Sequence, residues 1–230
     1  MEKDILLMAS PARPSSTADP VATAPGSDMG TVLMAEQEQW RVFCAIDLPH
    51  AIRQMVMARS MHLRNAVPEA QASWSRIDNI HLTLKFLGEV PQSRVEWLSR
   101  AAANTSSGFE SFQIRVQGSG VFPTHGVPRV LWIGIEDLKG KLGELYGRLE
   151  DECAKAGFKK EVRQFHPHLT VARLRKPQYG RTLAASHKAM EFEPAEITVS
   201  ELLVIRSELS SAGSNYTVIS RHALGLSGKL

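Results

Sequence analysis

Two segments of the chain, NIHLTLKFLGEV from Asn79 to Val90 and RQFHPHLTVARLR from Arg163 to Arg175, carry one pattern: histidine, leucine, threonine and an aliphatic residue in a strand-like run. Residues i and i+2 of an extended strand project from one face, and the residues between them from the other. His81 and Thr83 therefore share a face opposite Leu82 and Leu84, and His168 and Thr170 share one opposite Leu169 and Val171. Any fold of this chain has to bury two apolar strand faces and aim two His/Thr pairs away from them. Counted the same way, Lys85 continues the face of His81 and Thr83. The context repeats too, with Leu87 and a helical pattern led by Pro91 after the first run, and Leu174, Pro177 and a second helical pattern after the other. Self-similarity of this kind marks an internal duplication and predicts two related lobes.

The rest of the chain fills in an α+β pattern. WRVFCAIDLP reads as a buried strand stopped by Pro49, and HAIRQMVMARSMHLRNA as a helix with Ile52, Met55, Val56, Met61 and Leu63 at roughly helical spacing. SFQIRVQGSGVF and PRVLWIGIED are strands around the turn-rich PTHGVP. A helix follows with Leu138, Leu142, Leu145, Leu149 and Cys153 as its apolar stripe and Gly157 at its end. After a helix near Tyr179 to Ala189 come two closing strands, EITVSELLVIRSEL and YTVISRHAL, joined by SSAGSN.

A length of 230 residues suits one catalytic unit of one or two lobes, and a net charge of +3 is compatible with a phosphate or nucleic-acid ligand without requiring one. Cys44 and Cys153 form no CxxC or zinc-type spacing, and so few cysteines point to a reducing, cytoplasmic setting over a secreted disulfide scaffold. Residues 1–38 read as a disordered extension: after Glu2, Lys3 and Asp4 the apolar run Ile5 to Ala9 is shorter than a signal-peptide core. Residues 10–38 are rich in Ser, Pro, Ala, Gly and Thr without period. Met34 is a candidate alternative start. No run approaches the length of a membrane span, and residues 39–228 are expected to form the folded domain.

With the duplicated His-x-Thr in place, the chain resembles the two-histidine (2H) phosphoesterases, and among them the bacterial RNA 2',3'-cyclic phosphodiesterases also called 2'-5' RNA ligases. The resemblance is carried by RVFCAIDLP, WSRIDNIHLTLKFLGEV, GVFPTHGVPRVLWIGI, FHPHLTVARLR and VIRSELSSAGSNYTVISRHALG, together spanning Arg41 to about Gly225. It implies two pseudo-symmetric lobes with antiparallel sheets and flanking helices around a central cleft. It also implies action on RNA bearing 2',3'-cyclic phosphate ends, with His81 as proton donor and His168 as proton acceptor.

The residue types suit that chemistry independently. Opening a cyclic phosphodiester needs one group to take a proton from water and another to give one to the leaving ribose oxygen, and imidazole can do either near neutrality. The hydroxyls of Thr83 and Thr170 can donate to non-bridging phosphate oxygens. No metal or other cofactor is called for. Arg129 matches an arginine the family places by the cleft, where a guanidinium can clamp phosphate, and His166 lies two residues before His168 and joins the substrate-binding candidates. Phe122 and Trp132 are expected in the core, and Arg76, Lys85, Arg173 and Arg175 are further basic candidates. Two rivals stand beside this reading: a metal-dependent hydrolase using His166 and His168, and a non-catalytic module that binds RNA ends. The two-lobed cleft is self-contained, so a monomer without obligate protein partner is expected.

Overall fold

The first strand, β1 (Gln39–Ile46), shows the logic of the whole molecule: Val42, Cys44 and Ile46 point into the main core, while Phe43 and Ala45 point the other way into a small separate cluster with Leu203 and Ile205. In this computed structural model the described residues are 38–225, apart from Pro177 and Ala212. The extension expected over residues 1–38 falls outside them up to residue 37, as does the Met34 start, while the Glu38 carbonyl accepts from the Gln92 N–H at 2.8 Å. After β1 come α1 (His50–Ala66), β2 (Ala72–Trp74), a 3-10 turn (Ile77–Asn79), β3 (Leu82–Pro91), α2 (Gln92–Ser106), β4 (Phe112–Phe122) and β5 (Val130–Glu136). The second half runs α3 (Lys141–Lys155), β6 (His168–Leu174), α4 (Gly180–Ala189), β7 (Ala195–Val199), β8 (Glu201–Ser210) and β9 (Gly213–Ala223). The apolar stripe of α3 is Leu142, Leu145, Leu149 and Cys153, all fully buried; Leu138 lies before the helix, in the turn that Gly140 closes at φ 72°.

The strands form two antiparallel sheets, ordered β3-β1-β8-β9 and β2-β6-β5-β4-β7. β3-β1 in the first sheet corresponds to β6-β5 in the second, so each sheet holds one His-x-Thr strand beside its partner. The remaining elements are exchanged. β4, from the first half of the chain, joins the second sheet, and β8, from the other half, joins the first. The helices trade as well: α1 packs on β6 and α4, and α3 on α2 and β3. EITVSELLVIRSEL is accordingly two strands, not one, because the chain leaves the second sheet after Val199 and enters the first at Glu201. No glycine or proline announces the break.

Behind the second sheet, α4 is anchored by buried polar groups. The Arg59 guanidinium donates to the carbonyls of His187 (3.1 Å), Met190 (2.6 Å) and Glu191 (2.6 Å), satisfying the orphan acceptors at the helix end. His187 is fully buried, and its Nε2 donates to the Trp132 carbonyl at 3.0 Å. Burial is the main cause that pulls its pKa down to about 4, against the Trp132 carbonyl, which raises it. Between that value and 6.5 the unfolded chain binds the extra proton and the folded protein does not, so stability rises with pH across this window. Acidification from pH 7 to pH 4.5 is expected to remove about 2–3 kcal/mol through His187. In His187→Gln the pH dependence of urea unfolding should shrink by that amount, whereas an unchanged dependence would sink the assignment.

Candidate active site

The two His-x-Thr runs meet where the sheets approach. β3 is the edge strand of the first sheet, and β2 covers β6 only over Ala172–Leu174, leaving the His168 end clear; β3 and β6 are in contact. His81 immediately precedes β3, and His168 is the first residue of β6.

Both rings are held in the same way. His168 Nδ1 donates to the carbonyl of His166 at 2.7 Å, and His81 is bonded to the carbonyl of Asn79, in each case two residues upstream. A proton fixed on Nδ1 leaves Nε2 as the working nitrogen. In His81 that Nε2 accepts from the Thr83 hydroxyl at 2.9 Å. The His81 ring stacks on Phe43, with centroids 4.7 Å apart, and meets the edge of Tyr216 at 5.3 Å. Burial lowers the His81 pKa to about 4; the Asn79 carbonyl and Asp47 oppose the shift, and Arg173 and Arg53 add to it. His168 is lowered for the same first reason, helped by Arg173 and His166. Both rings are therefore neutral at pH 7, and Arg173 bears on both.

How Arg173 reaches this face explains the main departure from the sequence count. Strict alternation sends Arg173 to the side opposite His168. The register of β5 with β6 slips between Leu131↔Ala172 and Trp132↔Thr170, leaving Val171 as an extra residue, and such a bulge reverses the parity beyond it. Arg173, opposite Val130, thereby joins the face of His168 and Thr170. β3 has the same slip at the same place: Ala45 pairs with Thr83 and Cys44 with Lys85, leaving Leu84 extra. Lys85 therefore leaves the His81 face, correcting the sequence expectation, and Phe86 replaces it there opposite Phe43. Lys85 is 4% exposed and donates to Glu150 Oε1 (2.8 Å), Glu150 Oε2 (2.7 Å) and the Lys159 carbonyl (2.8 Å).

His166 stands beside His168, its ring exposed and in contact with Phe122 (5.3 Å) and Trp132 (5.5 Å). Those two aromatics, expected in the core, lie on the cleft face next to both histidines, with Phe122 at 5.1 Å and Trp132 at 6.4 Å from His168. Trp132 can lie flat there because Gly120 opposite has no side chain; a Cβ at Gly120 would fall 2.1 Å from the indole. Thr170, opposite Trp132, is half-buried on the same face. Arg129 is exposed and precedes β5, where its backbone bridges Phe122 and Leu174. Arg76 is exposed, and Arg175 is turned to the Ser73 hydroxyl at 2.8 Å. Among the described residues no three His, Cys, Asp or Glu side chains gather as a ligand set.

A two-lobed cleft with one His-x-Thr from each sheet defines a phosphoesterase site of the two-histidine class, and the comparisons agree. The model of the LigT-like phosphoesterases matches the chain twice, over residues 46–132 and 133–216, one match for each half of the duplication. The chain belongs to this family and is a hydrolase. It is 35% identical over 178 residues to an RNA 2',3'-cyclic phosphodiesterase of Methanothermobacter thermautotrophicus, covering 77% of this chain and 95% of that one. A Thermotoga maritima protein of the same name is 31% identical, covering 78% and 92%. Among solved structures, Escherichia coli LigT complexed with 3'-AMP superposes with a TM-score of 0.63 at 28% identity, over 81% of this chain and 99% of that one. A Thermus thermophilus protein, TT0787, gives 0.66 at 27%, over 82% and 100%. No helix among the described residues is long and apolar enough to cross a membrane.

Proposed function

We propose that this enzyme opens 2',3'-cyclic phosphate ends of RNA to 2'-phosphomonoesters without a metal, using His81 as general acid and His168 as general base. The observation that carries the reading is the matched placing of both rings, each bonded to the carbonyl two residues upstream and followed on its own strand face by a threonine, with Arg173 acting on both. Water loses its proton to His168 Nε2 as its oxygen attacks phosphorus; the P–O3' bond breaks, and His81 delivers a proton to the departing oxygen. Thr83, Thr170 and Arg173 hold the non-bridging oxygens, where charge changes in the transition state. Arg129 and His166 complete the binding set at its margin. A neutral His81 has to gain a proton before it can act as acid. The phosphodiester's negative charge, by offsetting Arg173, favours that gain on binding.

The names of the relatives support the substrate class, and the same acid and base run backwards would make a 2'-5' bond. Residues 39–228 would act as one two-lobed domain behind an extension, as a monomer in the cytoplasm; Cys44 and Cys153 are both buried and unpaired, which suits a reducing compartment.

The test is hydrolysis of a short RNA ending in a 2',3'-cyclic phosphate, in the presence of EDTA. Release of a 2'-phosphate end is the expected result. A 3'-phosphate product would reverse the leaving oxygen, activity restored only by zinc would move the chemistry to a metal at His166 and His168, and silence throughout would overturn the substrate.

A further inference from the structure

In each lobe the strand beside the His-x-Thr strand sets one residue opposite the histidine. In the second sheet the ladder runs Trp132↔Thr170, Ile133↔Leu169 and Gly134↔His168. In the first it runs Ala45↔Thr83 and Ile46↔Leu82, and the next step brings Asp47, just past the end of β1, beside His81. Asp47 continues the face of Phe43 and Ala45, the face on which the His81 ring is stacked. The matching positions therefore differ by a whole charge, with a carboxylate opposite His81 and a glycine opposite His168. Gly134 has to be a glycine. Where β4 slips register between Val116 and Ser119, the Gln117 carbonyl oxygen comes to 2.6 Å from the place a Cβ on Gly134 would take.

The Asp47 carboxylate is held in place. Its Oδ1 accepts from the Leu48 N–H at 2.9 Å and from the Arg53 guanidinium, whose Nε donates to the Leu48 carbonyl at 3.0 Å. An arginine of α1 thus fixes the acid at the end of β1. The charged and titratable groups that face His81 are this ion pair, Arg173 from β6 and the Tyr216 ring from β9. Within the pair the carboxylate acts on His81 more strongly than the guanidinium, so the pair as a whole favours the imidazolium. His168 is acted on by Arg173 and His166, with no carboxylate among the described residues that bear on it.

We propose that Asp47, clamped by Arg53, is the positioning residue that keeps a proton on His81 once the phosphodiester is bound, and that the glycine at the matching place leaves His168 ready to take one from water. This rests on the phosphodiesterase reading above and adds to it what separates two rings that are otherwise held alike. Each turnover leaves His81 neutral and His168 protonated, so before the next one His81 gains a proton from solvent and His168 loses one. A carboxylate beside the first ring and none beside the second favours both exchanges in the required direction.

The experiment follows kcat against pH at saturating concentrations of an RNA dinucleotide ending in a 2',3'-cyclic phosphate. The acidic limb of that profile reports loss of the base and the basic limb loss of the acid. Asp47→Asn should move the basic limb down by about one unit and leave the acidic limb in place. Above the limb kcat then falls about tenfold, and below it the variant approaches the parent. Asp47→Glu keeps the charge and should keep the limb. Arg53→Gln removes the opposing cation and should move the same limb up, a sign that a merely structural ion pair would not produce. A kcat lowered by one factor at every pH, a shift of the acidic limb instead, or limbs that stay in place in both the Asp47→Asn and Arg53→Gln variants would each overturn the proposal. A parent protein silent on this substrate would instead overturn the phosphodiesterase reading.

Discussion

Replacement of His81 or His168 by alanine should each lower kcat for cyclic phosphate opening by at least about 10²-fold and by as much as about 10⁴-fold, the usual worth of a positioned proton transfer. The double variant should fall far less than the product of the two, because acid and base serve one transition state. His81→Ala also removes the ring packed on Phe43, so its fold has to be followed by circular dichroism alongside the rate. A substrate that carries a good leaving group in place of the ribose 3'-oxygen needs no general acid. With it, His81→Ala should recover activity and His168→Ala should not. Recovery of the His168 variant alone would exchange the two roles, and near-normal rates in either variant with the native ends would remove that histidine from the chemistry.

The largest structural effect is expected at Lys85 and Glu150. The pair is almost fully buried, and Glu150 Oε2 additionally accepts the Glu161 backbone N–H at 2.9 Å, so one ion pair ties β3 to α3 and to the segment leading to His166 and His168. Lys85→Met leaves a buried carboxylate without its cation and should cost about 3–5 kcal/mol, which for a domain of this size lowers Tm by about 10 °C. Replacing both partners, Lys85→Met with Glu150→Leu, removes the stranded charge and should recover part of that loss. Urea denaturation of the three proteins reads the outcome directly. A single-variant loss under about 1 kcal/mol would show that water reaches the pair and that it is worth no more than a surface contact.

The sequence made part of this site legible and hid the rest for one physical reason. Period-two counting places His81 with Thr83 and His168 with Thr170, because both pairs lie before any irregularity. One residue past each threonine the strand bulges, at Leu84 and at Val171, and the count inverts. That inversion sends Lys85 inside, brings Phe86 out and turns Arg173 to the face of His168 and Thr170. Nothing local marks it, since a bulge is a property of the pairing and neither run carries a glycine there. Trp132 was hidden for a related reason: its place on the cleft face depends on Gly120 across the ladder, twelve residues away in sequence and adjacent only in the sheet. The break at Ser200 belongs to the same class, because a change of sheet leaves the apolar alternation on both sides intact. The arginine that bears on both histidines could have been sought by comparing the two repeats position by position, where Phe86 and Arg173 are aligned and dissimilar.

The exchange of strands between the halves also constrains how the chain can be made. The first sheet joins β1 to β8, pairing Val42 with Arg206, and every strand bond on that side of β1 spans about seven-tenths of the chain's length. During synthesis from the N-terminus, β1 and β3 can form only a two-stranded ribbon, with Phe43 and Ala45 still uncovered. The four-stranded sheet beneath His81 has to wait for residues 201–223. Closing so long a loop is slow, and the unpaired edge of β1 is exposed meanwhile to any other strand that can pair with it. A nascent chain stalled after β7 should therefore hold a nearly complete second sheet and an open first one, with one histidine already in its final setting and the other still waiting for its floor.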